Sequence, residues 1–273
     1  MKKFGKVVAV MMTAVMLLSG CGGSTGKTTG TSAENGTSSG LPAKVVVGTN
    51  AEFPPFEYMD DNGQPDGFDM ALIKEVGKRA GFEVEIKNMD FDALLMSMST
   101  GGIDMVIAGM TATEEKEKQV DFSDPYFDAK QVIIVKQDNN EIKTFDDLSG
   151  KKVAVQQGTT GDLSVTEGDP TCVVNGVDVK RMNKGADAVV DLINGGVDAV
   201  VIDLLPAKEF VEAHPDDIKI VEDNAVVEHY AIAMPKGSDE LKKAVNDALA
   251  SIKEDGTLDQ LKEQYDATET VNK

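Results

Sequence analysis

Residues 94–107 read LLMSMSTGGIDMVI, and residues 188–201 read AVVDLINGGVDAVV, which repeats the same pattern. In both stretches, apolar residues at helical spacing lead to a Gly-Gly pair, and a short apolar run follows. Glycine permits the positive φ that ends a helix, and the apolar run is typical of a buried strand. Each stretch therefore predicts an amphipathic helix, a tight turn and a strand.

A second repeat precedes each of these stretches. Residues 44–47 (KVVV) and 152–155 (KVAV) both predict a short strand followed by a polar loop. After the first of them, Asp69 is the predicted cap of a helix that Gly81 closes. Its inward stripe consists of Leu72, Ile73, Val76 and Ala80. Strands that alternate with helices favour mostly parallel sheets covered on both faces, so we expect an α/β fold with two similarly built lobes.

In open sheets of this kind, ligands bind beyond the carboxyl ends of the strands. The loops that follow predicted strands would then converge on one cleft between the lobes, and they span residues 48–56, 108–116, 156–161 and 202–206. The predicted boundaries are 41–125 with 231–273 for lobe 1, 131–225 for lobe 2, and 126–130 with 226–230 for a two-segment hinge. We therefore expect a ligand cleft that the hinge opens and closes.

The N-terminus predicts export and a lipid anchor. Lys2, Lys3 and Lys6 precede the apolar run 7–18, which is too short to span a bilayer as a mature helix. The following Leu18-Ser19-Gly20-Cys21 resembles a bacterial lipobox, in which cleavage precedes the cysteine and diacylglycerol is attached to its sulfur. An ordinary secretory signal leaves Cys21 unexplained. We expect a signal peptide over 1–20, a flexible Gly/Ser/Thr-rich linker over 21–40, and an extracytoplasmic protein tethered to the membrane.

Composition excludes several classes of partner. The formal charge is −20, and it becomes −23 once the three lysines of residues 1–20 are removed. Nucleic acids and anionic lipid surfaces are polyanions, so neither is an expected partner. The folded part has roughly 230 residues, which is compatible with two lobes. We expect a monomer.

Catalytic and metal-binding signatures are weak. Once Cys21 is acylated, Cys172 stands alone and is interpreted as a small packing residue. His214 and His229 are not at metal-ligand spacing. The sequence contains no phosphate-binding loop, nucleophile elbow or zinc-protease motif. No cofactor or metal is expected, and the interpretation is a binding protein rather than an enzyme.

An ordered set of motifs carries a family resemblance. They are GTNAEFPPF (48–56), GFD (67–69), MDF (89–91), AGMT (108–111), VDFSDPY (120–126) and QGTT (157–160). Together they resemble the family 3 extracellular solute-binding proteins, which deliver polar amino acids to ABC importers. The likeness spans about residues 41–265 and implies a two-lobed fold that closes around one amino acid, with the permease subunits as partners.

The resemblance also implies roles for particular residues. Phe53 and Phe91 would sandwich the aliphatic part of the ligand. The ligand ammonium would be held by the Gly109 carbonyl, the Thr111 hydroxyl and the Asp203 carboxylate. Its carboxylate would meet Lys116 and backbone N–H groups near Thr159 and Thr160. Asn50 and Gln156 lie where the family contacts the ligand side chain, and Met110 belongs to the same motif as Gly109.

Two positions depart from the family pattern. Lys116 replaces the usual arginine, and a lysine cannot grip both carboxylate oxygens with a planar fork. Asn50 replaces an aspartate that is common in members binding cationic side chains. This loss of negative charge favours a neutral polar ligand or broad specificity, although Glu52 is close in sequence. Asp104, Asp198, Asp121 and Asp124 are interpreted as structural, and Tyr126 and Tyr230 as packing residues beside the hinge.

Other interpretations stay open. Pattern alone favours the core for Phe53 and Phe91, and a solvated helix face for Lys116 among its charged neighbours. A dehydratase-like enzyme on the same scaffold would need a cleft carboxylate as general acid, for which Asp203 is the candidate. A third possibility is a ligand-sensing module, a class that usually continues into a transmembrane helix or a signalling domain.

Overall fold

The computed structural model describes residues 40–221 and 227–268. The predicted signal peptide, Cys21 and the linker up to residue 39 lie outside the described residues. The strands, numbered along the chain, are β1 Lys44–Thr49, β2 Glu52–Phe53, β3 Glu57–Met59, β4 Pro65–Asp66, β5 Glu83–Asn88, β6 Met105–Val106, β7 Val120–Phe122, β8 Phe127–Lys136, β9 Lys152–Gln156, β10 Asp178–Met182, β11 Ala199–Asp203, β12 Ile218–Val221, β13 Val227–Tyr230 and β14 Ala233–Pro235. The α-helices are α1 Phe68–Ala80, α2 Leu94–Ser99, α3 Glu114–Glu117, α4 Thr160–Ser164, α5 Gly185–Ile193, α6 Leu204–Ala213, α7 Asp239–Glu254 and α8 Thr257–Gln264. None of these described helices has the length and apolar character needed to cross a membrane.

Two mixed sheets form two lobes. The sheet of lobe 1 has the order β5-β1-β6-β14-β7, and the sheet of lobe 2 has the order β10-β9-β11-β8-β12. In lobe 1, β1 is parallel to β5 and β6; in lobe 2, β9 is parallel to β10 and β11. The strands that repeat in the sequence thus occupy equivalent places, so the prediction of an α/β fold with two similar lobes is confirmed.

The expectation of mostly parallel sheets holds for four of the five strands in each sheet order, and one strand in each order runs the opposite way. Strand β14 is antiparallel to both β6 and β7, and β8 is antiparallel to both β11 and β12. The reason lies in the crossings between lobes. The parallel strands point their carboxyl ends at the cleft, whereas β8 and β14 follow the crossings and begin at the cleft side, so they run the opposite way.

The repeated Gly-Gly-x-Asp element has the same structure in both lobes. Gly101 and Gly195 adopt φ of 76° and 77°, which ends each helix in the left-handed region. The carboxylate Oδ2 of Asp104 accepts from the backbone N–H of Val46 at 2.8 Å, and Oδ2 of Asp198 accepts from that of Lys152 at 2.8 Å. Each aspartate therefore ties its turn to the neighbouring strand, which confirms the structural interpretation of both.

Helix α1 differs from its prediction at one end. Leu72, Ile73 and Val76 of its inward stripe are buried, Ala80 is half-buried, and Gly81 closes the helix with φ of 88° as expected. Its N-cap is Gly67, and Asp69 is the second helical residue rather than the cap. Because the helix begins earlier, the Asp69 side chain turns inward. Its Oδ2 accepts from the Gly109 N–H at 2.9 Å and from the Tyr126 hydroxyl at 2.7 Å.

The two segments that cross between the lobes pair with each other. Strand β13 is antiparallel to the start of β8, with Tyr230 opposite Phe127 and Val227 opposite Lys130. The rings of Phe56, Phe127 and Tyr230 pack edge-on or stacked with centroids 4.9–5.7 Å apart. This aromatic group secures the crossing strands beside lobe 1. The predicted hinge segments fall on these strands, and their boundaries stay a prediction.

Candidate ligand-binding site

A cavity between the two lobes is lined by residues from all four predicted loops. The prediction that these loops converge on one cleft is therefore confirmed. Within the described residues, the cavity is lined by Asn50, Phe53, Glu57, Phe91, Ala108, Gly109, Thr111, Lys116, Gln156, Thr159, Thr160 and Asp203. Of the predicted ligand-binding residues, the structure brings all but Met110 to this cavity. Met110 is 1% exposed and packs in the core of lobe 1, on the other side of the chain from Gly109.

Phe53 and Phe91 lie in different surroundings. Phe53 is buried and stacks on Phe56 at 6.0 Å between centroids, so it belongs to the core and to the cavity wall at once. Gly109 adopts φ of 52°, and a Cβ there would lie 3.1 Å from the Phe53 ring. This close approach requires glycine. Phe91 is half-buried, and the Nζ of Lys116 lies 5.8 Å from its ring centroid.

Asp203 ends strand β11 with its side chain buried under the cavity. The hydroxyl of Tyr230 donates to its Oδ1 at 2.6 Å. Burial, together with the negative charge of Glu228, raises the pKa of Asp203 to about 7. The packing interpretation of Tyr126 and Tyr230 is therefore incomplete. Each tyrosine also donates its hydroxyl proton to one buried carboxylate, Asp69 or Asp203.

Lys116 is buried, so the interpretation of a solvated helix face is wrong for this residue. Thr113 caps the short helix α3 by accepting from the backbone N–H of Lys116 at 3.3 Å. The Lys116 ammonium then reaches the carbonyl oxygen of Thr111 at 3.5 Å. Burial lowers the pKa of Lys116 to about 8, although Glu228 and Asp203 act in the opposite direction.

The rim of the cleft joins the lobes directly. The amide Nε2 of Gln156 donates to Oδ1 of Asn50 at 2.8 Å. The two residues predicted to contact the ligand side chain are therefore hydrogen-bonded to each other. Outside the cavity, Gln157 donates to Asp92 at 2.7 Å and Asn183 donates to Asp90 at 3.2 Å. An ion pair between Glu52 and Lys184 completes the rim. Glu52 is therefore engaged outside the cavity and does not supply it with negative charge.

Backbone donors near α4 are only partly available. Thr159 caps α4 by accepting from the backbone N–H of Asp162 at 3.3 Å, and its own N–H donates to the Gln156 carbonyl at 3.4 Å. Thr160 is the first residue of α4, where backbone N–H groups have no partner within the helix. The Thr160 hydroxyl donates to Oε2 of Glu228 at 2.7 Å.

Sequence reasoning missed the carboxylate of Glu57. This side chain is 1% exposed, and neither of its oxygens accepts a hydrogen bond from an N–H or hydroxyl group of the described residues. The Oδ1 of Asp69 likewise accepts none, and the two carboxyl groups lie close enough to share a proton in a hydrogen bond. Burial first, and Asp69 second, raise the pKa of Glu57 well above its usual value. The available signal was a carboxylate directly after the aromatic run FPPF (53–56).

Comparison with known proteins identifies the family of this chain. The family described as bacterial extracellular solute-binding proteins, family 3, matches residues 45–268. The chain belongs to this family. It is 35% identical to a probable histidine-binding protein of Neisseria gonorrhoeae, over 98% of this chain and 97% of that protein. It is 34% identical to the L-cystine-binding protein TcyJ of Escherichia coli K12, over 81% and 82%. A solved ancestral arginine-binding protein with arginine bound shares 45% identity and a TM-score of 0.77, over 82% of this chain and 98% of that one.

Proposed function

We propose that this solute-binding protein binds an amino acid with a positively charged side chain and delivers it to the permease of an ABC importer. The observation that carries the proposal is the set of charged side chains around the cavity. Asp203 and Glu57 supply two buried carboxylates, and Lys116 supplies one buried cation. A basic amino acid carries two cations and one carboxylate, which is the complementary set. Buried charges are stable only when paired, so this match favours that ligand class.

The proposed orientation follows the polar groups. The α-ammonium meets Asp203, the Gly109 carbonyl and the Thr111 hydroxyl, while the α-carboxylate meets Lys116 and the N–H group of Thr160. The aliphatic part lies between Phe53 and Phe91. Four or five charge-assisted hydrogen bonds of roughly 1.5–3 kcal/mol each, less the ordering costs, are compatible with micromolar affinity at about −8 kcal/mol.

Glu57 changes the expected side-chain preference. Asn50 is uncharged and already accepts from Gln156, which supported a neutral polar ligand at the level of sequence. Glu57 on β3 adds a second buried carboxyl group to the cavity wall, and a ligand cation beside it would favour its ionised form. Relatives named for binding histidine and arginine support a cationic ligand. The relative named for binding cystine supports the competing hypothesis of a ligand with an uncharged side chain.

The cellular setting is part of the proposal. The lipobox-like sequence supports cleavage before Cys21, attachment of diacylglycerol, and an extracytoplasmic monomer tethered by the 21–40 linker. The predicted lobe boundaries at 126–130 and 226–230 support opening about the paired strands β8 and β13. Mass spectrometry of the membrane fraction tests the anchor: a lipid-modified N-terminal Cys21 is expected, and an unmodified N-terminus would contradict it.

The proposal is binding without turnover. The relatives that the chain matches are named as binding proteins. Asp203 has the raised pKa of a general acid, but Tyr230 and the proposed ammonium already engage its oxygens. An assay with small ring carboxylates of the prephenate and arogenate type is expected to show no product. Release of water from such a substrate would instead favour the dehydratase alternative.

Calorimetric titration of the purified chain with the twenty amino acids tests the proposal directly. Arginine, lysine or histidine is expected to bind in the micromolar range, with neutral polar amino acids at least about tenfold weaker. Absence of any binding tighter than about millimolar by a folded protein would contradict the proposal. Tight binding of a neutral amino acid alone would refute the cationic preference and retain the amino-acid site.

Replacing Phe91 by alanine is expected to weaken ligand binding about tenfold with little change in melting temperature. Phe91 is half-buried, so its removal costs the core little, but it takes away an apolar wall and the ring beside the Lys116 ammonium. The chain has no tryptophan, so a dye-based melt measures folding and calorimetry measures affinity. A large fall in melting temperature with intact affinity would show that Phe91 stabilises the core and does not contact the ligand.

Affinity is expected to be greatest in a narrow pH range between about 7 and about 8. The free protein must lose the Asp203 proton to meet the ligand ammonium, and this becomes costly below about pH 7. It must also keep the Lys116 proton to meet the ligand carboxylate, and this becomes costly above about pH 8. Titrations across this range with an amino acid that does not itself change charge there check the profile. A flat profile would contradict the assignment of both residues.

A further inference from the structure

Glu228 accepts hydrogen bonds from two threonines that line the cavity, but neither the sequence motifs nor the cavity wall assigns it a role. It lies on β13, between β8 on one side and the Thr111 segment of lobe 1 on the other. On that second side, the N–H of Ala112 donates to the His229 carbonyl at 3.3 Å. Its strand is therefore held by hydrogen bonds to both lobes.

One oxygen of Glu228 accepts three hydrogen bonds. Its Oε2 accepts from the Thr111 hydroxyl at 2.9 Å, from the Thr160 hydroxyl at 2.7 Å, and from Nε2 of Gln131 at 3.3 Å. Thr111 follows a strand of lobe 1, whereas Thr160 begins α4 and Gln131 lies on β8 in lobe 2. A single carboxylate oxygen thus joins the two lobes beside the cavity.

The direction of these bonds determines what the two threonines can offer a ligand. A hydroxyl has one proton to donate, and Thr111 and Thr160 both give theirs to Glu228. Thr160 also accepts from Nε2 of Gln131 at 3.1 Å. Both threonines line the cavity, and their hydroxyl oxygens have only lone pairs available for a hydrogen bond with a ligand. They can accept from an ammonium group and cannot donate to a carboxylate.

We propose that Glu228 is a positioning residue that converts the hydroxyls of Thr111 and Thr160 into acceptors for the ligand ammonium and fastens the two lobes in the closed arrangement. The inference rests on the proposed function, because it concerns the same cavity. It selects the orientation of the ligand. The α-ammonium lies toward the hydroxyls of Thr111 and Thr160 and the carboxylate of Asp203, and the α-carboxylate lies toward Lys116 and the backbone N–H of Thr160.

The charge of Glu228 also acts on the groups around it. The titratable groups that feel its charge are Lys116 on α3, Asp203 at the end of β11 and Tyr230 on the same strand. Its negative charge raises the pKa of Asp203 and supports the protonated form of Lys116, which keeps the pKa of that lysine from falling further. It also contributes to the raised pKa of Tyr230. Removing the charge would therefore lower the pKa of Asp203 and that of Lys116 together.

The test is a pH series of calorimetric titrations with L-arginine on the wild-type chain and on Glu228→Gln. Glutamine preserves the shape and removes the charge, so binding at the optimum is expected to weaken about tenfold. Both limbs of the pH profile are expected to move to lower pH. A support role in folding alone would weaken binding equally at every pH and leave both limbs in place, and that result would overturn the inference.

Two further variants distinguish the role of Glu228 from a general effect of charge on the crossing strands and test its link to Thr160. Asp128→Asn removes a carboxylate from the same pair of crossing strands, where it forms an exposed pair with His229, and is expected to leave affinity and both limbs unchanged. Thr160→Val keeps the size and removes the acceptor. It should weaken ligand binding. The fold-loss of affinity in the double variant with Glu228→Gln should be smaller than the product of the two single fold-losses, because both substitutions act on the Thr160–Glu228 hydrogen bond. Fully independent effects would contradict the shared role.

Failure of this inference and failure of the proposed function give different results. A wild-type chain that binds no amino acid refutes the proposed function, and the role of Glu228 falls with it. A wild-type chain that binds arginine, with an unshifted Glu228→Gln profile, refutes the role of Glu228 and leaves the proposed function standing.

Discussion

Replacing Asp203 by alanine is expected to weaken ligand binding at least thirtyfold, or by about 2 kcal/mol. The carboxylate lies at the end of β11, 5% exposed, and it is the buried anion assigned to the ligand ammonium. Without it, the ammonium would enter a site from which water is excluded and would face only neutral acceptors. An unpaired buried charge costs more than the net worth of the lost bond, so we expect a large effect. Calorimetric titration with L-arginine measures it.

The matched control for this prediction is Asp216→Ala. Asp216 is exposed in the turn between α6 and β12 and does not line the cavity, so its loss should leave affinity unchanged. Dye-based melts of both variants show whether each is folded. A folded Asp203→Ala protein that binds arginine as tightly as the wild type would overturn the assignment of the ammonium site.

Replacing Glu57 by glutamine is expected to abolish the preference for a basic amino acid. Affinity for arginine should fall about thirtyfold, because a charge-assisted contact of about 2 kcal/mol becomes a neutral one. Affinity for glutamine should change little, since the variant keeps both the shape and a hydrogen-bonding group. The ratio of the two dissociation constants, measured by calorimetry on each protein, is therefore the readout. The ligand must also displace the proton that burial places on Glu57, so arginine binding should release protons that glutamine binding does not.

Glu83→Gln is the control for Glu57→Gln. Glu83 is an exposed carboxylate at the start of β5, and its replacement by glutamine is the same chemical change at a site outside the cavity. It should leave the arginine-to-glutamine ratio at the wild-type value. Equal losses for arginine and glutamine in Glu57→Gln would show that Glu57 supports the fold of the site and does not recognise the side chain.

Much of the fold was predictable because the chain carries its pattern twice. The Gly-Gly-x-Asp turns, the flanking strands and the four loops all follow from local periodicity, and the structure places them as expected. The strand directions of β8 and β14 did not follow. They depend on the side from which the chain enters each lobe, and this is a property of the crossings rather than of any local pattern.

The candidate site was predictable only in part, for a similar reason. Gly109, Thr111, Lys116 and Asp203 stand at the ends of strands or in recognisable motifs. Glu57 and Glu228 matter through what surrounds them, namely burial without an N–H or hydroxyl donor among the described residues for one and three converging donors for the other. Neither condition has a sequence signature.

Met110 and Asp69 illustrate the complementary error. A motif assigns whole segments, but neighbouring residues point in different directions. Met110 therefore packs into the core while Gly109 faces the cavity. Asp69 looked like a cap because it precedes an apolar stripe. The helix begins two residues earlier than that prediction requires, and the Asp69 carboxylate accepts from Gly109 and Tyr126.

A crystal structure of the chain with L-arginine bound tests the central claim most directly. We predict the ligand between Phe53 and Phe91, with its α-ammonium within hydrogen-bonding distance of Asp203 and Thr111, its α-carboxylate against Lys116, and its guanidinium against Glu57. A ligand bound the other way round, with its carboxylate at Asp203 and Thr111, or bound outside the cleft between the lobes, would contradict the account.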